Sequence, residues 1–389
     1  MSGRQYLQIP GPTNVPERVI RAMAVPMINQ RGPEYAKLVQ DCVGGLKQVF
    51  ATTGEILWFP SSGSGGLEST IVNTLSPGDK ILSVSQGVFS ERFAKIAEAH
   101  GVLVERIEVE WGKAVDPQEI FKRLRADTGR SIKAVTVDQN ETATGVLNDI
   151  RTIGLGIKET GHPALLFVDA VSALAMAEIR PDEWGVDVVI AASQKGLMLP
   201  PGLAILAIGP RAWQACETSR MPKWYWDWKQ MKKAMDAGGS AYTPPTGILF
   251  GLRESLAMLN EEGLANVFVR HQRLARATRA AIRGMGLSVL PAEEVASPTL
   301  TAINVPAGIE WKALSKLMRE KYRVVLGGGL GKLEGKIFRI GHMGEIYEPE
   351  LLAVLGCLEL GLAELGADIR LGEGFKAAQR LFLEPYGSK

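Results

Sequence analysis

Two stretches decide the fold: Leu165-Leu166-Phe167-Val168-Asp169-Ala170-Val171-Ser172 and Val188-Val189-Ile190-Ala191-Ala192-Ser193-Gln194-Lys195-Gly196. Each opens as a run of β-branched or apolar residues. Such runs are too short for helices and too apolar for strands with one wet face, so they read as strands buried on both faces. Each run then ends in a polar cluster, one holding Asp169 and the other Lys195. In open α/β sheets, ligands bind beyond the carboxyl ends of the strands, which is where these two residues fall.

Working outward, the same alternation continues. Ile81 to Val84, Val102 to Val109 and Ile132 to Val137 read as strands. Phe89 to Ala99 and Pro117 to Leu124 read as amphipathic helices between them. Alternating β and α elements with buried strands predict an α/β domain with a mostly parallel, doubly wound sheet. From Thr246 to Met285 long helical periodicity takes over, interrupted at Asn260-Glu261-Glu262-Gly263, so two helices are expected. Beyond it, strands at 287–290, 300–305, 323–326 and 337–340, with helices at 311–321 and 349–364, predict a smaller C-terminal α+β domain. The expected division is an N-terminal segment 1–20 packing near the active site, a large domain 21–255 and a small domain 256–389.

Composition excludes several functions. The net charge is +2, with 44 Lys plus Arg against 42 Asp plus Glu, which leaves no basic footprint for nucleic acid. No apolar run reaches the ~20 residues of a membrane span. Cys42, Cys216 and Cys357 are too few and too scattered for a disulfide framework, which fits a cytoplasmic setting. The polar start Met1 to Tyr6 reads as no signal peptide, and Gly387-Ser388-Lys389 is no peroxisomal address. His100, His162, His271 and His342 share no metal-ligand spacing, so no metal is expected. Glycine is abundant, at 43 of 389 residues.

Part of that glycine lies in Ser61-Ser62-Gly63-Ser64-Gly65-Gly66, which runs directly into the apolar-periodic stretch Leu67 to Val72. Backbone N–H groups in such a loop, at a helix N-terminus, cradle an anion. The loop lacks the Gly-Lys-Ser/Thr ending of a Walker loop and the third glycine of a dinucleotide fingerprint, which disfavours a nucleotide-dependent dehydrogenase. An anion cradle, a strand-end carboxylate and a strand-end lysine on one sheet are the three groups that pyridoxal 5'-phosphate needs: for its phosphate, its ring nitrogen and its aldehyde.

The chain resembles the class V aminotransferases of fold type I, and is most similar to the serine:glyoxylate and alanine:glyoxylate aminotransferases. Pro10-Gly11-Pro12-Thr13-Asn14, Asn140-Glu141-Thr142-Ala143-Thr144-Gly145-Val146, Val168-Asp169-Ala170-Val171-Ser172, Ser193-Gln194-Lys195-Gly196 with Pro200-Pro201-Gly202, and Arg339-Ile340-Gly341-His342 carry the resemblance. It implies transamination between an amino acid, serine or alanine or similar, and glyoxylate, in a homodimer with active sites at the interface. Lys195 would take the cofactor aldehyde as a Schiff base. Asp169 would pair with the ring nitrogen, with Val171 on one ring face and Phe89 on the other. Ser64, Gly65, Gly66 and Gln194 would hold the phosphate, Thr142 would reach the ring hydroxyl, and Thr243 would reach the phosphate across the interface. Arg339 would clamp the substrate carboxylate, with Gln30 and Gly11 also on the substrate side.

The chain departs from the family at Gln30 and Gln139, where many relatives carry histidine, and at Phe89, where some carry tryptophan. An amide at Gln30 leaves aspartate or ureidoglycine open as donor, and pyruvate remains open as acceptor. Two rivals share the fold: a cysteine desulfurase-like lyase and a non-catalytic scaffold. The first needs a mobile-loop cysteine, whereas Cys357 lies in the apolar run Leu351 to Leu362; the second has no need of both Lys195 and Asp169. Trp224, Trp226 and Trp228 are expected on one face of an extended segment, as ordinary packing.

Overall fold

The computed structural model describes residues 5–385, so Gly387-Ser388-Lys389 and the first four residues of the polar start lie outside the described residues. Seven strands form the central sheet, in the order Glu55–Ser61, Gly202–Ile208, Val188–Ala192, Leu165–Asp169, Ile132–Asp138, Lys80–Ser85 and Leu103–Glu108. The last five strands in that order pair in parallel. Gly202–Ile208 is antiparallel to both of its neighbours. All five residues of Leu165–Asp169 and of Val188–Ala192 are buried. Each fully buried Leu, Ile, Val or Phe there contributes about 1.5–3 kcal/mol. Helices cover both faces. Two of them begin where the sequence offers a cap: Asp116 accepts from Gln118 N before Pro117–Ala126, and Asp149 accepts from Thr152 N before Ile150–Glu159.

The second sheet has four strands, in the order Tyr6–Gln8, Val324–Gly328, Ile337–Gly341 and Leu300–Asn304. Tyr6–Gln8 lies parallel to Val324–Gly328, so the start of the chain belongs to the sheet built mainly from its end. The expected strand at 287–290 is reduced to one bridge, Val289 to Ile303. Gly286 turns there with φ +89°, and residues 287 and 289 pack as partly buried apolar contacts instead of extending the sheet.

The two long helices are Thr246–Glu262 and Leu264–Gly284, and they meet at Gly263, whose φ of +80° breaks the run. One apolar core ends at Val267 and the next begins at Leu274, so the second helix carries the hand-over between them. The three tryptophans do not share a face. Trp224 is 77% exposed, Trp226 packs edge-on against Phe59 and Trp228 is buried, donating from Nε1 to Ser69 Oγ at 2.7 Å. The reason is local: Asp227 caps a helix, Trp228–Asp236, that turns the third indole inward.

Candidate active site

Strand ends and loops converge on a cavity of about 300 Å³. Asp169 ends one buried strand, and Lys195 follows the next one, Val188–Ala192. Both side chains line the cavity, with Val171, Ser172 and Gln194 beside them.

Lys195 is only 8% exposed. Burial, and then the charge of Arg339, lower its pKa to about 8, against the opposing pull of Asp169. Its Nζ donates to the carbonyl of Pro10. The N-terminal segment is laid over it: Thr13 N donates to Gln194 O at 3.1 Å and Thr13 Oγ1 to Lys195 O at 3.3 Å. Gly11 sits at φ +87°, and a Cβ there would overlap the lysine side chain, so glycine is required twice over.

Asp169 accepts from Val171 N at 2.8 Å through Oδ1. Burial pushes its pKa up to about 6. Behind it stand two more buried carboxyls, Asp138 and Glu141. Glu141 accepts from Phe89 N, Ser90 N and Ser90 Oγ at 3.1–3.2 Å and from Ala143 N at 2.8 Å. It therefore ties the helix that carries Phe89 to the loop that carries Thr142.

The helix Gly63–Thr74 begins at the cavity wall, and its N-cap Ser62 makes no side-chain capping bond. Ser62, Gly63 and Ser64 line the cavity. Gly65 and Gly66 do not; they let the helix close onto its supports. A Cβ on Gly66 would press Ile190 Cγ2 at 2.8 Å, and one on Gly65 would press Trp226 Cη2 at 2.5 Å. Gly65 N–H turns back to Ser62 O at 2.9 Å.

Phe89 and Thr142 line the cavity. Thr142 Oγ1 donates to Ser172 Oγ at 2.6 Å, and its carbonyl accepts from Arg339 Nη1 at 2.8 Å. Arg339 also donates from Nε to Gly328 O at 2.9 Å, which leaves Nη2 without a protein hydrogen bond among the described residues. Burial lowers its pKa to about 10. Gln30 and Thr243 are not brought to Lys195 within one chain. They line a separate cleft of about 440 Å³ with Arg31 and Tyr242.

Arg92, Asn140 and Ser172 also line the wall, although the sequence reading gave none of them a role. Asn140 is 4% exposed, and neither atom of its amide has a partner. Arg92 had a readable signal, since it lies three residues after Phe89 on one helix face. Among the described residues, no group of His, Cys, Asp and Glu is arranged to hold a metal ion, and no helix is long and apolar enough to cross a membrane. Cys357 packs against the small-domain core.

A buried lysine of lowered pKa and a strand-end carboxylate line one cavity beside an uncapped helix N-terminus, the arrangement that the resemblance to class V aminotransferases leads one to expect. Comparison with known proteins agrees. The family described as Aminotransferase class-V matches residues 5–331, and the chain belongs to that family. It is 41% identical to the L-aspartate–glyoxylate aminotransferase of Paracoccus denitrificans, over 97% of this chain and 96% of that one. It is 42% identical to the serine–glyoxylate aminotransferase of Methylorubrum extorquens, over 98% and 97%. The crystal structure of the ureidoglycine–glyoxylate aminotransferase from Bacillus subtilis superposes with a TM-score of 0.93 at 28% identity, covering 99% of both chains.

Proposed function

We propose that this enzyme moves an amino group from an amino acid to glyoxylate, giving glycine and a 2-oxo acid, with pyridoxal 5'-phosphate held in the Lys195 cavity. The observation that carries the reading is the pairing of Lys195 and Asp169 in one cavity, the lysine lowered to about 8 and the carboxyl raised to about 6. The relatives support the acceptor, since the three named above differ in donor and share glyoxylate.

The residues fit the cofactor. Ser62, Gly63 and Ser64 offer an uncapped helix N-terminus to a phosphate. Gln194 Oε1 is buried without a partner beside them. Asp169 Oδ2 is free to accept from a ring N–H, because only Oδ1 is engaged by Val171. Val171 and Phe89 supply apolar faces for the ring. When bound, pyridoxal phosphate supplies an electron sink for the negative charge left when a Cα proton departs.

The chain's own groups do the rest. Lys195, uncharged above about pH 8, takes the Cα proton of the donor and, in the reverse half-reaction, delivers a proton to the Cα of the glycine formed. Asp169, ionised above about pH 6, would hold the ring nitrogen of the bound cofactor in its protonated form. Arg339 offers its free Nη2 to the substrate carboxylate, while Gly328 and Thr142 fix its plane. The enzyme works as a homodimer in the cytoplasm, with the Gln30–Thr243 cleft of one chain completing the cavity of its partner. The separation of that cleft from Lys195 within one chain supports this arrangement.

The test is direct. The purified protein, loaded with pyridoxal phosphate, is given aspartate, serine, alanine or ureidoglycine with glyoxylate, and glycine is measured. No glycine with any donor rejects the reading.

A further inference from the structure

Arg92 lies close enough to the buried carboxyls Asp138 and Asp169 for its charge to lower their pKa values, yet it makes no direct ion pair with either. Among the described residues it forms no ion pair, although its sequence neighbour Glu91 does: Arg106 bridges both Glu91 and Glu98. Arg92 is held instead by two residues of the cavity wall. Its Nη1 donates to Ser64 Oγ at 3.2 Å, and its guanidinium lies 4.8 Å over the Phe89 ring. Among the described residues, Nε and Nη2 make no hydrogen bond. Ser64 is in the first turn of Gly63–Thr74, whose N-terminus lacks a side-chain cap. An arginine fork with donors to spare and an uncapped helix N-terminus thus line the same cavity.

From this juxtaposition we propose that Arg92 is a positioning residue for the cofactor phosphate, reaching the dianion beside the helix N-terminus while its guanidinium stays over the Phe89 ring. This rests on the reading of the cavity as a pyridoxal phosphate site. Two charges on the phosphate exceed what a helix N-terminus offers, roughly half an elementary charge. An arginine supplies the remainder bidentately. The same contact fixes Phe89: with the guanidinium held by phosphate and ring together, the aromatic face over the cofactor is set by the cofactor itself.

The experiment compares two probes on the cofactor-free protein, pyridoxal 5'-phosphate and pyridoxal, which differ only in the phosphate. Their dissociation constants are measured by fluorescence titration for wild type, Arg92→Met and Arg92→Lys. Methionine keeps an unbranched stem over Phe89 and removes the fork. The expected result is about tenfold weaker binding of pyridoxal phosphate to Arg92→Met, with pyridoxal changed less than about twofold. Arg92→Lys restores part of the difference. Equal weakening of both probes, as a packing role gives, or no weakening of either, overturns the proposal. Wild type that binds neither probe overturns the cofactor reading, and the role of Arg92 with it.

Discussion

Asp138 and Asp169 are register partners at the carboxyl ends of two parallel strands, and both are buried. Neither oxygen of Asp138 meets a donor. Burial, with the charges of Asp169 and Glu141, raises its pKa well above the usual carboxylate range. The folded protein therefore holds the Asp138 proton more tightly than the unfolded chain does. The stability this proton contributes is complete below the unfolded value, about 3.9, and is lost as pH rises toward the folded one. Asp138→Asn keeps the shape without the titration. Its thermal midpoint is expected to exceed that of wild type by more at pH 8 than at pH 5, by an amount on the order of 1–3 kcal/mol. A pH-independent difference contradicts this account.

Lys195 is the group that no other side chain replaces, because no other amine lines the cavity. Lys195→Ala is expected to lose more than about 10³-fold in turnover. The visible absorbance of the cofactor-loaded protein is expected to disappear as well. Retention of near-normal turnover removes the lysine from the mechanism.

The pH dependence of cofactor capture follows from the same two groups. The uncharged amine attacks an aldehyde, and Lys195 passes through its midpoint near pH 8. Below that point the capture rate of the cofactor-free protein should climb about tenfold per pH unit, and above it the rate should level off. Cofactor affinity should fall below about pH 6, where Asp169 takes up a proton and can no longer accept from the ring nitrogen. Stopped-flow absorbance against pH measures the first effect and equilibrium titration the second.

Arg339 separates substrate affinity from turnover. Arg339→Lys keeps a charge but cannot span Gly328 O, Thr142 O and a carboxylate together. The KM for glyoxylate is expected to rise about tenfold or more, with a smaller change in kcat. An unchanged KM excludes the carboxylate contact.

Gly11→Ala tests the lid over the lysine. An alanine at φ +87°, with its Cβ in the space of Lys195, strains the backbone and displaces the amine. Its thermal midpoint should fall by the equivalent of about 1–3 kcal/mol, and cofactor capture should slow.

The large sheet was legible because its strands are buried on both faces, which leaves runs such as Leu165–Val168 with no polar residue to blur them. The anion loop, Asp169 and Lys195 were legible for a related reason: each is polar punctuation directly after or before an apolar element. What escaped depends on contacts distant in sequence. Tyr6–Gln8 is a strand only because Val324–Leu326 lies beside it. Gly65 and Gly66 are read from sequence as cradle residues, and only the fold shows that Trp226 and Ile190 also press where a Cβ would stand. Residues 287–290 have the alternation of a strand, but a single bridge is all that the edge beside Leu300–Asn304 accepts. Arg92 could have been paired with Phe89 by its spacing of three, but its contact with Ser64 of another helix shows only in the fold.

The carbonyl that accepts from Lys195 belongs to Pro10, two residues beyond a strand of the small sheet, and Gln8 donates on to Gly341 O, close to Arg339 in sequence. Lys195 and Arg339, to which we assign proton transfer and carboxylate binding, are thus joined by a tether of a few residues. A rotation of the small sheet on filling its carboxylate site would tug the lysine's acceptor with it. Cutting the chain between Gln8 and Gly11 would therefore uncouple the filling of one site from the readiness of the other, even with every catalytic side chain still in place.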